Sequence, residues 1–264
     1  MYLDDSYFAL NTVHNGYELD KVFGLKPHML SECFDSEVWE YILEERQKGK
    51  SVPQILCENG IEMSMISEVG DGYQTFNPFG GKVKEAPMNQ YCPEVMEEPG
   101  DIYYHGYWVN GKWFAAYRED FLREFQFPEI NDRRNLEYLA EIQNTNSVSV
   151  HVRRGDYVKL GWELKYDWYQ YSVKKFQEIV PGRWDLFVFS DDIFWCRQHQ
   201  EELGFLQFKK ITYIEGNNCG RNYLDMQLMS KCKANLLSNS AFCYLAALLN
   251  TERQYYVNPG KWEM

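Results

Sequence analysis

A chain of 264 residues, of which 45% are hydrophobic and 17% aromatic, can bury a sizeable core in one large domain or two small ones. Its formal net charge of −12 argues against general binding to nucleic acids or anionic membranes, which needs a basic face. Seven cysteines without a C-x-x-C pair indicate no zinc or disulfide framework and favour a reduced, cytoplasmic setting. We expect no signal peptide and no membrane span, because the longest apolar stretch, 241–249, is about half the length a span needs.

The first half of the chain is predicted to be irregular. Turns are expected over 69–95, where Asn-Pro-Phe-Gly-Gly at 77–81 breaks any regular element. The predicted elements are strands at 1–3 and 102–107, helices at 37–47 and 117–125, and a polar helix within 131–146.

From residue 147 onward, strands and helices alternate regularly. Strand–helix–strand units of this length form right-handed crossovers and a parallel sheet. The sequence therefore predicts an α/β protein with an N-terminal domain over 1–143 and a C-terminal domain over 144–264. The predicted strands are 147–152, 186–189, 211–214, 235–237 and 254–257, and the helices between them are 168–179, 193–203, 223–231 and 241–249.

Polar side chains follow each predicted strand of the second half. Because ligands bind outside the carboxyl ends of the strands in an open parallel sheet, these clusters predict an active site at one edge. The clusters are His151, Arg153, Arg154 and Asp156; Ser190, Asp191 and Asp192; 215–218; 238–240; and 258–260.

The two adjacent arginines, Arg153 and Arg154, point to an anionic ligand. A guanidinium group presents a planar fork of donors that matches phosphate oxygens two at a time. A surface ion-pair cluster is the alternative interpretation of the pair. The strand before it and the other polar clusters favour the ligand site.

Several of the polar residues also have a structural interpretation. The segment 190–192 is expected to cap the next helix, to contact a ligand, or both, and less readily to bind a metal. Asn239 and Ser240 precede a helix whose free N–H groups would suit a phosphate. Asp225 is placed in the first turn of its helix, where the helix dipole favours a negative charge.

Four stretches resemble motifs of bacterial α-1,2-fucosyltransferases, glycosyltransferase family 11. His-Val-Arg-Arg-Gly-Asp-Tyr at 151–157 is similar to the first, and Phe-Ser-Asp-Asp at 189–192 to the second. Asp-x-x-Leu-Met-Ser-x-Cys at 225–232, followed by Asn-Ser-x-Phe at 239–242, is similar to the third. Asn-Pro-Gly-Lys-Trp at 258–262 resembles the family's closing motif. Gly-Tyr-Trp at 106–108 is similar to a further segment of the family.

The resemblance implies two facing Rossmann-like domains of the GT-B type, with GDP-sugar bound by the C-terminal one and the acceptor on the N-terminal side. It implies inverting transfer of L-fucose from GDP-fucose to the 2-hydroxyl of a galactoside, without a metal or another cofactor. The expected acceptor is a galactose-containing glycan or a lipid-linked oligosaccharide in polysaccharide biosynthesis. We expect a cytoplasmic protein, with at most peripheral association with the inner face of the membrane, and no nucleic acid partner.

The resemblance also suggests roles for individual residues. Arg153 is expected to be the essential diphosphate contact, supported by Arg154 and His151. Asp156 is the first candidate for the base that inversion requires, and Glu163 is the second. Asp225 is expected to bind guanine. The predicted donor-binding residues are Arg154, Ser190, Asp191, Asp192, Asp225, Asn239, Ser240 and Phe242.

Two features depart from the family pattern. Family members usually begin with a strand and a Gly-Gly-Leu-Gly-Asn-Gln loop that opens the first helix, and the first residues here correspond to a later strand. We therefore expect a shortened N-terminal domain. Cys243-Tyr244-Leu245 stand where the family has Ser-Trp-Trp, which predicts altered packing or acceptor fit. A transferase for another nucleotide sugar, or a catalytically silent donor-binding protein, remain alternatives.

Overall fold

The computed structural model describes residues 1–10, 16–69, 83–218 and 220–260. The chain divides into two compact units, Met1–Ala116 and Tyr117–Met264. The boundary predicted after residue 143 falls inside the second unit, because the helix before it packs there. Ile142 of that helix is fully buried in the same apolar cluster as Phe187 and Leu228.

The first unit contains two small parallel sheets. β3 is the centre of a three-stranded sheet between β4 and β5, and β1 pairs with β2. The elements are β1 (Tyr2–Leu3), α1 (Ser6–Leu10), α2 (Leu19–Phe23), β2 (His28–Met29), α3 (Ser36–Gln47), α4 (Val52–Glu58), β3 (Ser64–Val69), β4 (Val83–Pro87), β5 (Ile102–His105) and α5 (Gly111–Ala116), with short 3₁₀ turns at Leu30–Cys33 and Pro93–Glu97.

The strands at 1–3 and 102–107 and the helix at 37–47 are confirmed to within two residues. The prediction of turns over 69–95 is wrong at 83–87, where the chain forms β4. The predicted breaker cluster at 77–81 lies outside the described residues. The sequence also missed β3, since its Ser67 and Glu68 are buried where an alternating strand would carry apolar side chains.

The buried carboxylate of Glu68 is satisfied by hydrogen bonds from backbone N–H groups. Its carboxylate accepts hydrogen bonds from the backbone N–H groups of Tyr107 at 2.6 Å, Trp108 at 2.8 Å and Asn89 at 3.0 Å. Gly106 lets this carboxylate approach, since a Cβ there would lie 2.7 Å from the Glu68 side chain. The Gly-Tyr-Trp segment therefore has a structural role in holding this turn.

The second unit is built on one parallel sheet of five strands in the order β10-β9-β6-β7-β8, which confirms the predicted α/β fold. The elements are α6 (Arg118–Glu124), α7 (Arg133–Asn144), β6 (Ser147–Val152), α8 (Gly155–Leu160), α9 (Tyr166–Ile179), β7 (Asp185–Ser190), α10 (Ile193–Gln198), a 3₁₀ turn at Phe205–Gln207, β8 (Lys210–Tyr213), α11 (Tyr223–Met229), β9 (Ala234–Leu236), α12 (Ala241–Leu248) and β10 (Tyr255–Val257).

Helices cover both faces of this sheet. Val150 and Val188 pack on one face in a cluster that includes Phe176 of α9. Phe187 and Phe189 point to the other face, in a cluster with residues of α7, α11 and α12. The central strands are therefore buried on both sides, as in other parallel sheets. The strand order reverses between β6 and β9, and such a switch point opens a crevice at the carboxyl edge.

Candidate functional site

The carboxyl ends of β6 and β9 meet at the switch point and are joined by a buried hydrogen bond. His151 Nδ1 lies 2.8 Å from the Ser238 hydroxyl oxygen, and the His151 ring lies 5.7 Å from the ring of Phe242. Burial, with a smaller effect of the positive charge of Arg153, lowers the pKa of His151 to about 3. The imidazole is therefore neutral at neutral pH, so it can position the strand ends but adds no positive charge for a phosphate.

Arg153 lies just beyond β6 and is bound by two carboxylates. Its Nη1 is 2.9 Å from Asp191 Oδ2, and its Nη2 is 2.5 Å from Asp156 Oδ1. The guanidinium carbon also lies 5.4 Å from the centre of the Tyr157 ring. The side chain is 34% exposed, so it remains accessible to an anion from solvent.

Arg154 is held by a carboxylate and an aromatic stack. Its Nε donates to Asp192 Oδ2 at 3.3 Å, and its guanidinium carbon lies 3.6 Å from the centre of the Trp195 ring. The Trp195 ring stacks in turn on Tyr166, with the ring planes 5° from parallel. A guanidinium over an indole face is favourable, so this stack fixes the direction in which Arg154 points.

The segment after β7, residues 190–192, supports the loop that carries Arg153 and Arg154, which we call the arginine loop. Asp191 Oδ1 accepts the backbone N–H of Arg154 at 2.9 Å, and Asp192 Oδ1 caps α10 through the Trp195 N–H at 3.1 Å. The Ser190 hydroxyl accepts the N–H of Asp192 at 3.0 Å. The capping interpretation is thus confirmed for Asp192, and donor contact by these three residues stays a prediction.

The loop after β9 is tied to the segment that follows α8. Asn239 Nδ2 donates to the carbonyl of Trp162 at 2.8 Å, and the Tyr157 hydroxyl donates to the carbonyl of Asn239 at 3.4 Å. Asn239 Oδ1 is buried and has no hydrogen-bond partner in the described part of the chain. Ser240 is the N-cap residue of α12, but its side chain makes no capping bond. Ser240 is therefore placed beside the first N–H groups of α12, as the sequence predicts.

Asp225 belongs to a buried amide network at the start of α11. Asn217 Nδ2 donates to Asp225 Oδ1 at 2.7 Å, and Asn217 and Asn135 exchange two hydrogen bonds of 2.8 Å each. Burial raises the pKa of Asp225 to about 7, against the lowering effect of the Asn217 hydrogen bond. The carboxyl group of Asp225 therefore changes its protonation state near neutral pH.

Glu163, the second candidate base, follows α8. Its Oε1 pairs with Lys165, while its Oε2 is buried and has no hydrogen-bond partner among the described residues. The Lys165 hydrogen bond, with further contributions that include the charge of Arg154, lowers the pKa of Glu163. The carboxylate is therefore ionised at neutral pH and has one oxygen without a bond.

Sequence reasoning missed three residues that shape this site. Trp195 was predicted only as part of a helix, Tyr166 stands just before a predicted helix, and Asn135 was placed in a polar helix. Asn217 belongs to the predicted polar cluster 215–218, but its partner was not predicted. For Trp195 a signal existed, because it stands three residues after the cap Asp192 in a first helical turn. Nothing local marks Asn135 and Asn217 as partners, since they are 82 positions apart.

The fold defines an α/β protein whose paired arginines, Arg153 and Arg154, lie at the carboxyl edge of a parallel sheet, beside a topological switch point. The model of the family Glycosyl transferase family 11 matches residues 95–263. The chain belongs to this family, which confirms the predicted resemblance.

Two curated proteins of Escherichia coli are similar to this chain. An alpha-1,2-colitosyltransferase is 35% identical over 192 residues, which cover 68% of this chain and 62% of the relative. The O-antigen biosynthesis glycosyltransferase WbnK is 31% identical over 167 residues, which cover 59% of this chain and 53% of the relative. The matched segments thus span less than two thirds of either relative's length.

Two solved structures overlap more loosely. The NodZ α-1,6-fucosyltransferase soaked with GDP-fucose matches 59% of this chain and 55% of that chain, with a TM-score of 0.41 and 18% identity. POFUT1 in complex with GDP matches 77% and 75%, with a TM-score of 0.41 and 11% identity. Overlaps at this level do not define how the two units are arranged, so the facing GT-B arrangement stays a prediction. Among the described residues, no helix combines the length and apolar character needed to cross a bilayer.

Proposed function

We propose that this chain is an inverting glycosyltransferase that moves L-fucose from GDP-fucose to the 2-hydroxyl of a galactoside without a metal ion. The observation that carries the proposal is the pair Arg153 and Arg154 at the switch point of the parallel sheet. Each guanidinium is fixed by a carboxylate, and both stay partly exposed, with side-chain exposures of 34% and 18%. Membership in glycosyltransferase family 11 supports it.

The donor half of the reaction breaks the bond between the sugar's anomeric carbon and a phosphate oxygen. The electron pair leaves with GDP, so negative charge grows on the diphosphate while positive charge grows on the ring. Arg153 would bind the diphosphate, with Arg154 beside it. A fixed donor aimed at developing charge in a site that excludes water contributes about 3 kcal/mol or more. His151 would act as a neutral positioning residue, because its pKa is about 3.

The acceptor half requires a base on the opposite face of the sugar ring. The acceptor 2-hydroxyl forms the new bond to the anomeric carbon while its proton passes to a carboxylate. Asp156 is our first candidate, since it lies on Arg153 and is 53% exposed. Glu163 is the second, because its Oε2 has no hydrogen-bond partner within the residues that the structure describes.

The nucleotide half would use α11 and α12. Asp225 is our candidate for guanine, whose N1–H and 2-amino group form a pair of donors that suits a carboxylate. The Asn217 and Asn135 network holds Asp225 in place. Ser240, Asn239 and Phe242 would contribute to the phosphate and nucleotide contacts at the start of α12.

Calorimetric titration with GDP and GDP-fucose tests the donor, and transfer to a galactoside such as lactose tests the reaction. For Arg153→Ala we expect GDP affinity to fall at least about tenfold, since one charged hydrogen-bond partner of a phosphate is lost. The melting temperature should change little, because the side chain is partly exposed. A large drop in melting temperature with unchanged affinity would instead support a structural ion pair.

A second candidate is the same reaction with another nucleotide sugar. The arginines recognise a diphosphate and not a fucosyl group, and one curated relative is named for colitose transfer. Competition between GDP-fucose and GDP-mannose separates the two candidates. Equal affinity would count against the fucosyl donor. Binding of GDP-fucose without turnover on any galactoside would favour the catalytically silent binding protein.

For the cellular role we propose polysaccharide biosynthesis in the cytoplasm, on a galactose-containing or lipid-linked acceptor. The name of the relative WbnK, an O-antigen biosynthesis glycosyltransferase, supports this role. Co-sedimentation of the protein with vesicles of bacterial lipids tests for peripheral membrane association.

A further inference from the structure

The two carboxylates on Arg153 are held in different ways. Asp191 is fixed on both oxygens, since Oδ2 binds Arg153 and Oδ1 accepts the N–H of Arg154. It also fills the space that Gly155 leaves, because a Cβ on Gly155 would lie 2.6 Å from Asp191 Oδ2. Its side chain is 27% exposed. Asp191 is therefore a built-in support of the arginine loop.

Asp156 is held loosely by comparison. Its side chain is 53% exposed, and within the described part of the chain its carboxylate accepts a hydrogen bond from Arg153 alone. It stands three residues after Arg153, in the first turn of α8. An exposed ion pair between neighbours in the chain is weak, because water and salt screen it. The Asp156 contact can therefore be replaced by a better anion.

While Asp156 stays paired with Arg153, the charges around the loop leave no surplus positive charge for a diphosphate. Two arginines, Arg153 and Arg154, face three aspartates, which leaves one net negative charge that a diphosphate must meet. A phosphate oxygen uses the same guanidinium donors as a carboxylate oxygen. Asp191 holds Nη1, so Nη2 is the nitrogen of Arg153 that a diphosphate oxygen would have to share with Asp156.

We propose that Asp156 and the donor's diphosphate compete for Nη2 of Arg153, while Asp191 keeps the arginine in position. The inference rests on the proposed function, because it takes a nucleotide diphosphate as the ligand. Donor binding then frees the Asp156 carboxylate beside the sugar, where it can take the acceptor proton. Asp191 is a positioning residue in this scheme, and Asp156 links donor binding to the availability of the base.

The test is calorimetric titration of GDP and of inorganic pyrophosphate into the full chain and three variants. Asp156→Asn removes the competitor, and we expect both ligands to bind about two- to fivefold more tightly, the change that corresponds to an exposed ion pair. Asp191→Asn removes the support, and both ligands should bind at least about tenfold more weakly. Turnover should fall in both variants. Asp156→Asn is therefore expected to raise ligand affinity while it lowers turnover, whereas Asp191→Asn is expected to lower both.

The matched control is Glu178→Gln. Glu178 is exposed in the last turn of α9, next to the start of β7 and so at the opposite edge of the sheet. The substitution removes the same charge as Asp156→Asn does. The affinity for GDP and pyrophosphate should change by less than about twofold, because solvent ions screen a charge at this distance. The competition is overturned if Asp156→Asn binds no more tightly than Glu178→Gln.

The outcomes separate the inference from the proposed function. If the wild-type chain binds pyrophosphate more weakly than Asp156→Asn does but neither binds GDP, the competition is supported and the nucleotide donor is overturned. If wild type binds GDP and the two aspartate variants both bind it more weakly, the nucleotide donor is supported and the competition is overturned. If no protein binds either ligand, both are overturned.

Discussion

Single residues in this site have pKa values displaced by burial. His151 is neutral because its ring is buried next to a cation, and its hydrogen bond with Ser238 joins the ends of two strands. Asp225 is shifted in the opposite sense, since burial favours the uncharged carboxyl group. The same physical cause thus keeps one side chain neutral at all ordinary pH values and makes the other sensitive to pH near 7.

The first residue-scale prediction concerns stability. The pKa of Asp225 is raised above its unfolded value, so the stability it contributes is full below about pH 4 and is lost as pH rises through about 7. Asp225→Asn cannot ionise and retains an acceptor for Asn217. In urea unfolding we expect the stability advantage of this variant over wild type to be larger at pH 8.5 than at pH 5, by roughly 1–3 kcal/mol. A stability difference that is equal at both pH values would contradict the buried, protonated Asp225.

Elements place the arginines through contacts that no single residue supplies. Arg154 follows β6, its carboxylate partner Asp192 follows β7, and its aromatic partner Trp195 lies in α10. Adjacent parallel strands bring these three segments to one edge of the sheet. The short α10 therefore supports Arg154 through Trp195.

At the element scale we predict that Trp195 orients Arg154. Trp195→Ala should weaken GDP binding by about tenfold, since a cation–π contact of a partly desolvated arginine contributes about 1–2 kcal/mol. Trp195→Phe should restore most of the affinity, because it keeps an aromatic face under the guanidinium. Calorimetric titration gives both values.

The neighbouring Phe194 provides the control. Its side chain is exposed, at 70%, so Phe194→Ala removes an aromatic ring from the same helix away from the core. It should leave GDP affinity unchanged. If Phe194→Ala and Trp195→Ala weaken binding equally, the effect belongs to α10 as a whole and not to the stack on Arg154.

At the scale of the whole molecule, the second unit is held by a sheet buried on both faces. Phe187 lies at the centre of β7, is fully buried, and packs in the cluster that α7, α11 and α12 share. The same strand ends in Ser190 and leads directly into the two aspartates that support the arginines. The core and the site therefore depend on one strand.

We expect Phe187→Ala to lower the free energy of unfolding of the second unit by about 3–5 kcal/mol, because the loss of a buried aromatic ring leaves a cavity. Urea unfolding followed by fluorescence measures this change. Tyr171→Ala is the control, since that side chain on α9 is 53% exposed and its loss should cost less than about 1 kcal/mol. Equal losses for both variants would contradict the packing described for β7.

Patterns within the chain predict the alternation of strands and helices after residue 147, the sheet edge at which polar side chains collect, and the family. These features follow from local periodicity and from motifs that are continuous in the chain. The folded structure was needed to show that Asp191 supports Arg153, that Asn217 pairs with Asn135, and that Glu68 is buried in a strand. Each of these depends on hydrogen bonds between residues distant in the chain, and such partners become neighbours only when parallel strands pair and helices pack on them.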